Sequence, residues 1–142
     1  MAITRAQTIT QTQKKVDTYS DFPNNFVKHP VPNELVVLKN DDSVRQAFKN
    51  LILTNIGERF FNPFFGSNIN RILFDNFGPF MIEDINRYVS MAAKQFEKRI
   101  NLLNVSVSDN SDQNAIAINV VFSLINNPTV PLTINIFLKR VR

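Results

Sequence analysis

The sequence predicts an α+β domain in which two main helices pack on a small antiparallel sheet, a C-terminal three-stranded meander, behind an extended N-terminal arm. Three observations predict it. Apolar residues recur at helical spacing twice between residues 44 and 96, the period changes to two between residues 103 and 138, and no strand-helix-strand rhythm repeats. Helices that precede a meander in this way bury their stripes against the sheet's apolar face.

A chain of 142 residues supports one core, so a single domain is expected. Hydrophobic residues make up 44% and charged residues 20%, which is ordinary globular composition, and no apolar run approaches the roughly 18 residues that cross a bilayer. A soluble protein without a membrane partner is expected. "MAITRAQTITQTQKK" contains no apolar block before a cleavage site, so the chain is expected to work where it is made.

Residues 1–20 are rich in Thr, Gln and Lys and poor in large apolar groups, which predicts a flexible arm, with 21–142 forming the domain. Pro23, Pro30 and Pro32 interrupt any ladder in the next stretch, and Phe22 and Phe26 are expected to pin it to the domain. "ELVVL", residues 34–38, reads as an edge strand. Asp41, Asp42 and Ser43 offer cap oxygens to a first helix carrying Val44, Ala47, Phe48, Leu51 and Ile52, which Asn55 and Gly57 stop. A loop from Gly57 to Ser67 leads to a helical turn with Ile69, Ile72 and Leu73. Gly78 and Pro79 open the second helix, whose stripe is Met81, Ile82, Ile85, Val89, Ala92 and Phe96 and whose end is expected near Arg99.

Three strands follow. Leu103, Val105 and Val107 alternate with polar residues, "DNSDQN" is a hairpin turn, and Ile116, Ile118, Val120, Phe122 and Leu124 mark the second strand. "NNPTVP" turns again before Leu132, Ile134, Ile136 and Leu138.

Composition removes much chemistry. The chain has no cysteine and a single histidine, His29, so thiolate chemistry, a multi-histidine metal centre and a histidine relay are excluded; no metal or cofactor is expected. Catalysis would have to rest on carboxylates, and Glu58 beside Phe60 and Phe61, with Asp75 nearby, is the pair that glycoside cleavage would need. An acid followed by Arg59 reads better as a salt-bridged structural group. The net charge of +4 is spread along the chain and the phenylalanines fall on core periods or beside proline, so nucleic acid is not an expected partner. Arg71 and Arg99 each follow an apolar helical segment, where a cation either caps the helix or reaches Glu58 or Glu97. Lys139, Arg140 and Arg142 end the last strand, where basic groups guard an edge or meet an acidic partner.

"YSDF", "SVRQAFKNLILTNIGERFFNPFFGSNINRILFDN" and "FEKRI" stand in an order that resembles the gp25-like family of phage baseplate wedge proteins, which includes a subunit of type VI secretion baseplates. The resemblance covers about residues 19 to 139. Its most specific part, T-x-x-G-E-R-x-x-x-P-x-x-G followed by L-F-D/E, is matched by Thr54, Gly57, Glu58, Arg59, Pro63, Gly66, Leu73, Phe74 and Asp75. A second signature, Glu-Pro-Arg, reads Glu97, Lys98, Arg99 here, so both charges match while the rigid proline is replaced.

The resemblance implies a virion structural protein of the tail baseplate, assembled in the host cytoplasm, without catalysis or cofactor. It implies binding to the core bundle of the baseplate wedge and a platform for the tail sheath protein, whose strands extend the small sheet, with the tail tube or central hub as further neighbours. Glu97, Arg99, Glu58, Arg59, Arg71, Phe64 and Phe65 become the expected partner-binding residues, and Ile134, Ile136 and Leu138 the sheath-facing edge. The polar arm and "YSDF" resemble the phage members more than the secretion-system ones. A peptidoglycan-cleaving, lysozyme-like enzyme is the alternative from another class, and the secretion-system subunit the alternative within the family.

Overall fold

The computed structural model describes residues 18–31, 33–74, 77–110 and 114–139. Its elements in chain order are β1 (Ser20–Asp21), β2 (Leu38–Lys39), α1 (Asp41–Leu53), α2 (Ile69–Ile72), α3 (Pro79–Phe96), β3 (Ile100–Asn110), β4 (Ala115–Leu124) and β5 (Asn127–Lys139). The strands β3, β4 and β5 form an antiparallel sheet with β4 at its centre, and β1 and β2 pair separately.

The core follows the two periods. Val44, Phe48, Leu51 and Ile52 from α1 and Met81, Ile85, Val89, Ala92 and Ala93 from α3 are buried against Ile116, Ile118, Val120, Phe122 and Leu124 of β4. Phe48 meets Phe122 edge to face, with ring centroids 5.4 Å apart; such pairs add about 0.5–1.5 kcal/mol beyond the area they bury. Leu132, Ile134, Ile136 and Leu138 bring β5 into the same core.

The caps differ from expectation. Asn40, at φ 48, precedes α1 without a side-chain cap; its Oδ1 instead accepts the N–H groups of Thr18 at 2.8 Å and Tyr19 at 3.4 Å. Asp41 and Asp42 fall in the first turn, where their charge complements the helix dipole. The helix stops at Thr54, whose extended backbone ends the ladder before Asn55 and Gly57 are reached. Pro79 opens α3 as expected, but the helix ends at Phe96, short of Arg99, with Glu97 as its C-cap.

Thr18, Tyr19 and Ser20, assigned to the arm on composition, are docked on the domain, and Tyr19 packs against the core; residues 1–17 lie outside the described residues. Phe22 and Phe26 do not pin the segment, being 49% and 64% exposed. Amides hold it instead. The Asn24 and Asn50 side chains bond reciprocally at 2.8 and 3.0 Å, and Gln46 accepts from the Asn24 N–H and donates to the Phe22 carbonyl. Of "ELVVL", only Leu38 belongs to a strand; residues 27–29 pair back against residues 34–36 through the Lys28 and Leu35 bridge, and Val31, Leu35 and Val37 are exposed because no core face lies beneath them.

Two sheet expectations shift. A bulge between Leu102 and Asn104 in β3 changes the phase, so Leu103 is 54% exposed while Ile100, Leu102, Val105 and Val107 face inward. The turn expected over "NNPTVP" is confined to Ile125 and Asn126, since β5 already begins at Asn127. Pro128 and Pro131 are tolerated because β5 is an edge strand, and the register skips from Leu124 opposite Asn127 to Ser123 opposite Pro131. The tip of "DNSDQN", residues 111–113, lies outside the described residues; its flanks, Asn110 and Ala115, pair.

Candidate docking surfaces

The segment from Thr54 to Ser67 is a closed loop fastened at its neck. Asn55 and Ser67 form a parallel bridge, the Ser67 N–H donates to the Thr54 carbonyl at 2.8 Å, and the buried Ser67 hydroxyl donates to the Ile52 carbonyl at 2.5 Å. Gly66, at φ 124, permits this approach, because a Cβ there would lie 2.4 Å from the Thr54 oxygen. A second closure joins the Gly57 N–H to the Pro63 carbonyl at 2.7 Å.

Glu58 and Arg59 have separate tasks inside the loop rather than pairing with each other. The Glu58 carboxylate accepts the Asn55 N–H at 2.8 Å and so closes the turn at residues 55–58. The Arg59 guanidinium lies 3.9 Å from the centroid of Phe65, whose ring packs on Phe96 at 5.1 Å. This stack draws Phe65 to the core side and leaves Phe60, Phe61 and Phe64 outside, at 98%, 105% and 74% exposure. Phe74 and Phe80 are likewise exposed on neighbouring segments; Phe80 carried no sequence signal beyond its place at the start of α3. Asp75, the other half of the possible carboxyl pair, lies outside the described residues.

Glu97 and Arg99 meet at the bend between α3 and β3. Arg99 Nε and Nη2 donate to the two carboxylate oxygens of Glu97, each at 2.6 Å, and the Arg99 N–H adds a bond at 3.3 Å. Glu97 is buried, whereas about a third of the Arg99 side chain, 34%, is exposed. The bonds to Glu97 raise the Arg99 guanidinium above its ordinary value despite some burial. The Arg99 guanidinium also lies 5.3 Å from the centroid of Tyr19, and its carbonyl accepts the Ile125 N–H, so this bend ties the arm and the last hairpin to the helix end. Arg71 is exposed on α2, and among the described residues it pairs with neither Glu58 nor Glu97.

Ile134, Ile136 and Leu138 turn their side chains into the core, at 6%, 1% and 7% exposure. What β5 offers outward is therefore backbone: among the described residues it pairs with β4 alone, and from Pro131 to Lys139 that pairing runs without interruption. The opposite edge, β3, is broken by the bulge at Leu103.

Residues 39–129 match the model of a protein family described as "Baseplate wedge protein gp25". The chain belongs to the gp25 baseplate wedge family. The matched span is shorter at both ends than the resemblance over about 19 to 139, but it contains the fastened loop and the Glu97 bend. Baseplate wedge protein gp25 of Enterobacteria phage T4 is 31% identical over 86 residues, which amount to 61% of this chain and 65% of that protein. The chain thus spans about two-thirds of the length of that relative.

Solved structures share the gp25-family fold. A Geobacter sulfurreducens protein provisionally named a tail lysozyme aligns with a TM-score of 0.64 at 24% identity, covering 73% of this chain and 96% of that one. A chain of the anti-feeding prophage baseplate aligns with a TM-score of 0.60 at 14% identity over 87% of each chain. A chain of a type VI secretion baseplate complex aligns at 0.54 with 17% identity, covering 68% of this chain and 92% of its own.

Proposed function

We propose that this gp25-family chain is a structural subunit of a contractile phage tail baseplate, docking on wedge proteins and presenting a sheet edge to the tail sheath. The observation that carries the reading is the loop between α1 and α2. Three phenylalanines, two of them almost wholly and Phe64 largely in water, stand on a backbone fastened by Gly66, Ser67 and the Glu58 carboxylate. Exposed aromatics on a preorganised loop favour association, because large apolar area is buried while little backbone freedom is lost.

Glu97 and Arg99 support docking by fixing the bend, and the exposed part of Arg99 faces a wedge helix. The β5 edge takes a strand from the sheath, an interaction that draws on backbone hydrogen bonds rather than on the buried Ile134, Ile136 and Leu138. The tail tube or hub is a further neighbour in the assembled baseplate. The role requires no catalysis, and Glu58, the candidate acid of the alternative enzyme reading, accepts the Asn55 N–H in a turn. The sequence similarity to the T4 protein favours a phage tail over a secretion system, and with it a place in the virion after assembly in the host cytoplasm.

Co-expression with the wedge and sheath proteins of the same tail tests this. The Phe60→Ser, Phe61→Ser, Phe64→Ser triple variant is expected to fold and to lose the wedge proteins, while Glu58→Gln keeps them. Retention of all partners by a folded triple variant would refute the loop's role. Cell-wall cleavage by the wild type that Glu58→Gln abolishes would restore the enzyme reading.

A further inference from the structure

The strand edge has a charged wall beside it. A groove runs between the outer side of α1 and the outer edge of β5, lined on one side by Asp42, Arg45, Lys49 and Leu53 and on the other by Thr133 to Asn135, with Asn24 and Leu38 of the N-terminal segment also bordering it. The α1 residues recur at helical spacing and so form a single stripe along the groove. Its two cations outnumber its one acid. Arg45 reaches Asp42 only at 3.7 Å, with both side chains well exposed, and its Nε is enclosed without a hydrogen-bond acceptor. Lys49 is exposed and has no ion-pair partner among the described residues.

A strand added to β5 lies about 4.8 Å beyond it, and its residue opposite Ile134 points to the same side of the sheet as Ile134 does. That side is where α1 packs, so the inward side chains of the added strand lie along the stripe. Resting on the β5-edge reading above, we infer that the groove selects an extended segment of a neighbouring tail protein carrying an aspartate or glutamate at an inward position, held by Arg45 and Lys49. An apolar inward residue two positions away meets Leu53. Backbone pairing supplies the attachment, and the carboxylate sets which segment enters and in which register.

A tethered strand tests both layers. A segment of alternating threonine and valine, with Asp, Asn or Lys at the inward position beside Ile134, is appended to the full chain through a short Gly-Ser linker, which raises its effective concentration. Amide exchange of β5 is then measured in the wild type, in Arg45→Gln, Lys49→Gln, and in Arg45→Glu, Lys49→Glu. The Asp strand is expected to protect the β5 amides about fivefold better than the Lys strand, the scale of an exposed ion pair. The preference should vanish in the neutral variant, reverse in the charge-reversed one, and weaken with added salt. Equal protection by all three strands in every background would leave the edge reading standing and overturn the acid selectivity. Protection by none would overturn the edge reading and the inference together.

Discussion

Replacing Gly66 with alanine probes the fastened loop at a single atom. The added methyl would lie 2.4 Å from the Thr54 oxygen and 3.1 Å from the Asn55 carbonyl carbon and oxygen, and the obstacle is backbone, which cannot swing aside as a side chain does. Alanine at φ 124 also occupies a region that L-residues avoid, costing about 1–3 kcal/mol. Relief of the clash displaces the Thr54 carbonyl that accepts the Ser67 N–H, which removes about 1 kcal/mol more. The sum, about 2–4 kcal/mol, is a large part of the roughly 5–15 kcal/mol that holds a domain together. Thermal unfolding should show it as a Tm lower by roughly 10 °C. Two controls separate the terms. Gly57→Ala, at φ 89 in open space, carries the backbone cost of about 1–2 kcal/mol alone, and Gly78→Ala, with extended backbone and open space, should stay within about 0.5 kcal/mol of wild type. A Gly66→Ala protein no less stable than Gly57→Ala would refute the close approach of residues 54 and 66.

Four further substitutions test the rest of the frame. Arg99→Ala leaves the buried Glu97 carboxylate without its bidentate partner and should cost about 2–3 kcal/mol, below the full penalty for a buried pair because Arg99 is partly exposed; Arg99→Lys, lacking the fork, should recover less than half in the same melt. Asn24→Ala removes the paired amides that hold the arm on α1, so amide exchange over residues 19–39 should speed up while overall stability falls by about 1 kcal/mol. Gly78→Ser supplies the cap oxygen that α3 lacks and should raise stability by a few tenths of a kcal/mol in chemical unfolding.

Much of this architecture is legible in the sequence because α1, α3 and β4 each bury one regular stripe, and a stripe is visible as a period. The departures arise where a second interaction competes with the local signal. Asn40 spends its side chain on the arm rather than on the helix cap, which no helix-start rule anticipates. Pro128 and Pro131 are strong turn signals, yet an edge strand accepts them, and the bulge that exposes Leu103 shows only in the register of β3 against β4, not in the alternation of β3 itself. The loop between α1 and α2 was readable as aromatic and hinged by glycine. Which phenylalanine turns inward was not, because it is decided by Phe96, a helix away. Of the two carboxylates open to Arg99, the nearer in sequence took it, and the groove of Arg45 and Lys49 stayed invisible because its other wall comes from the last strand.

The absence of cysteine allows the central claim to be measured directly, since a single introduced thiol reports on one place. Asn62→Cys sits on the exposed loop between Phe61 and Phe64 and keeps every phenylalanine. Maleimide labelling of that thiol is compared in the free protein and in assembled baseplates. Rapid labelling when free and strong protection when assembled is the predicted result; equal labelling in both states would contradict docking through this loop.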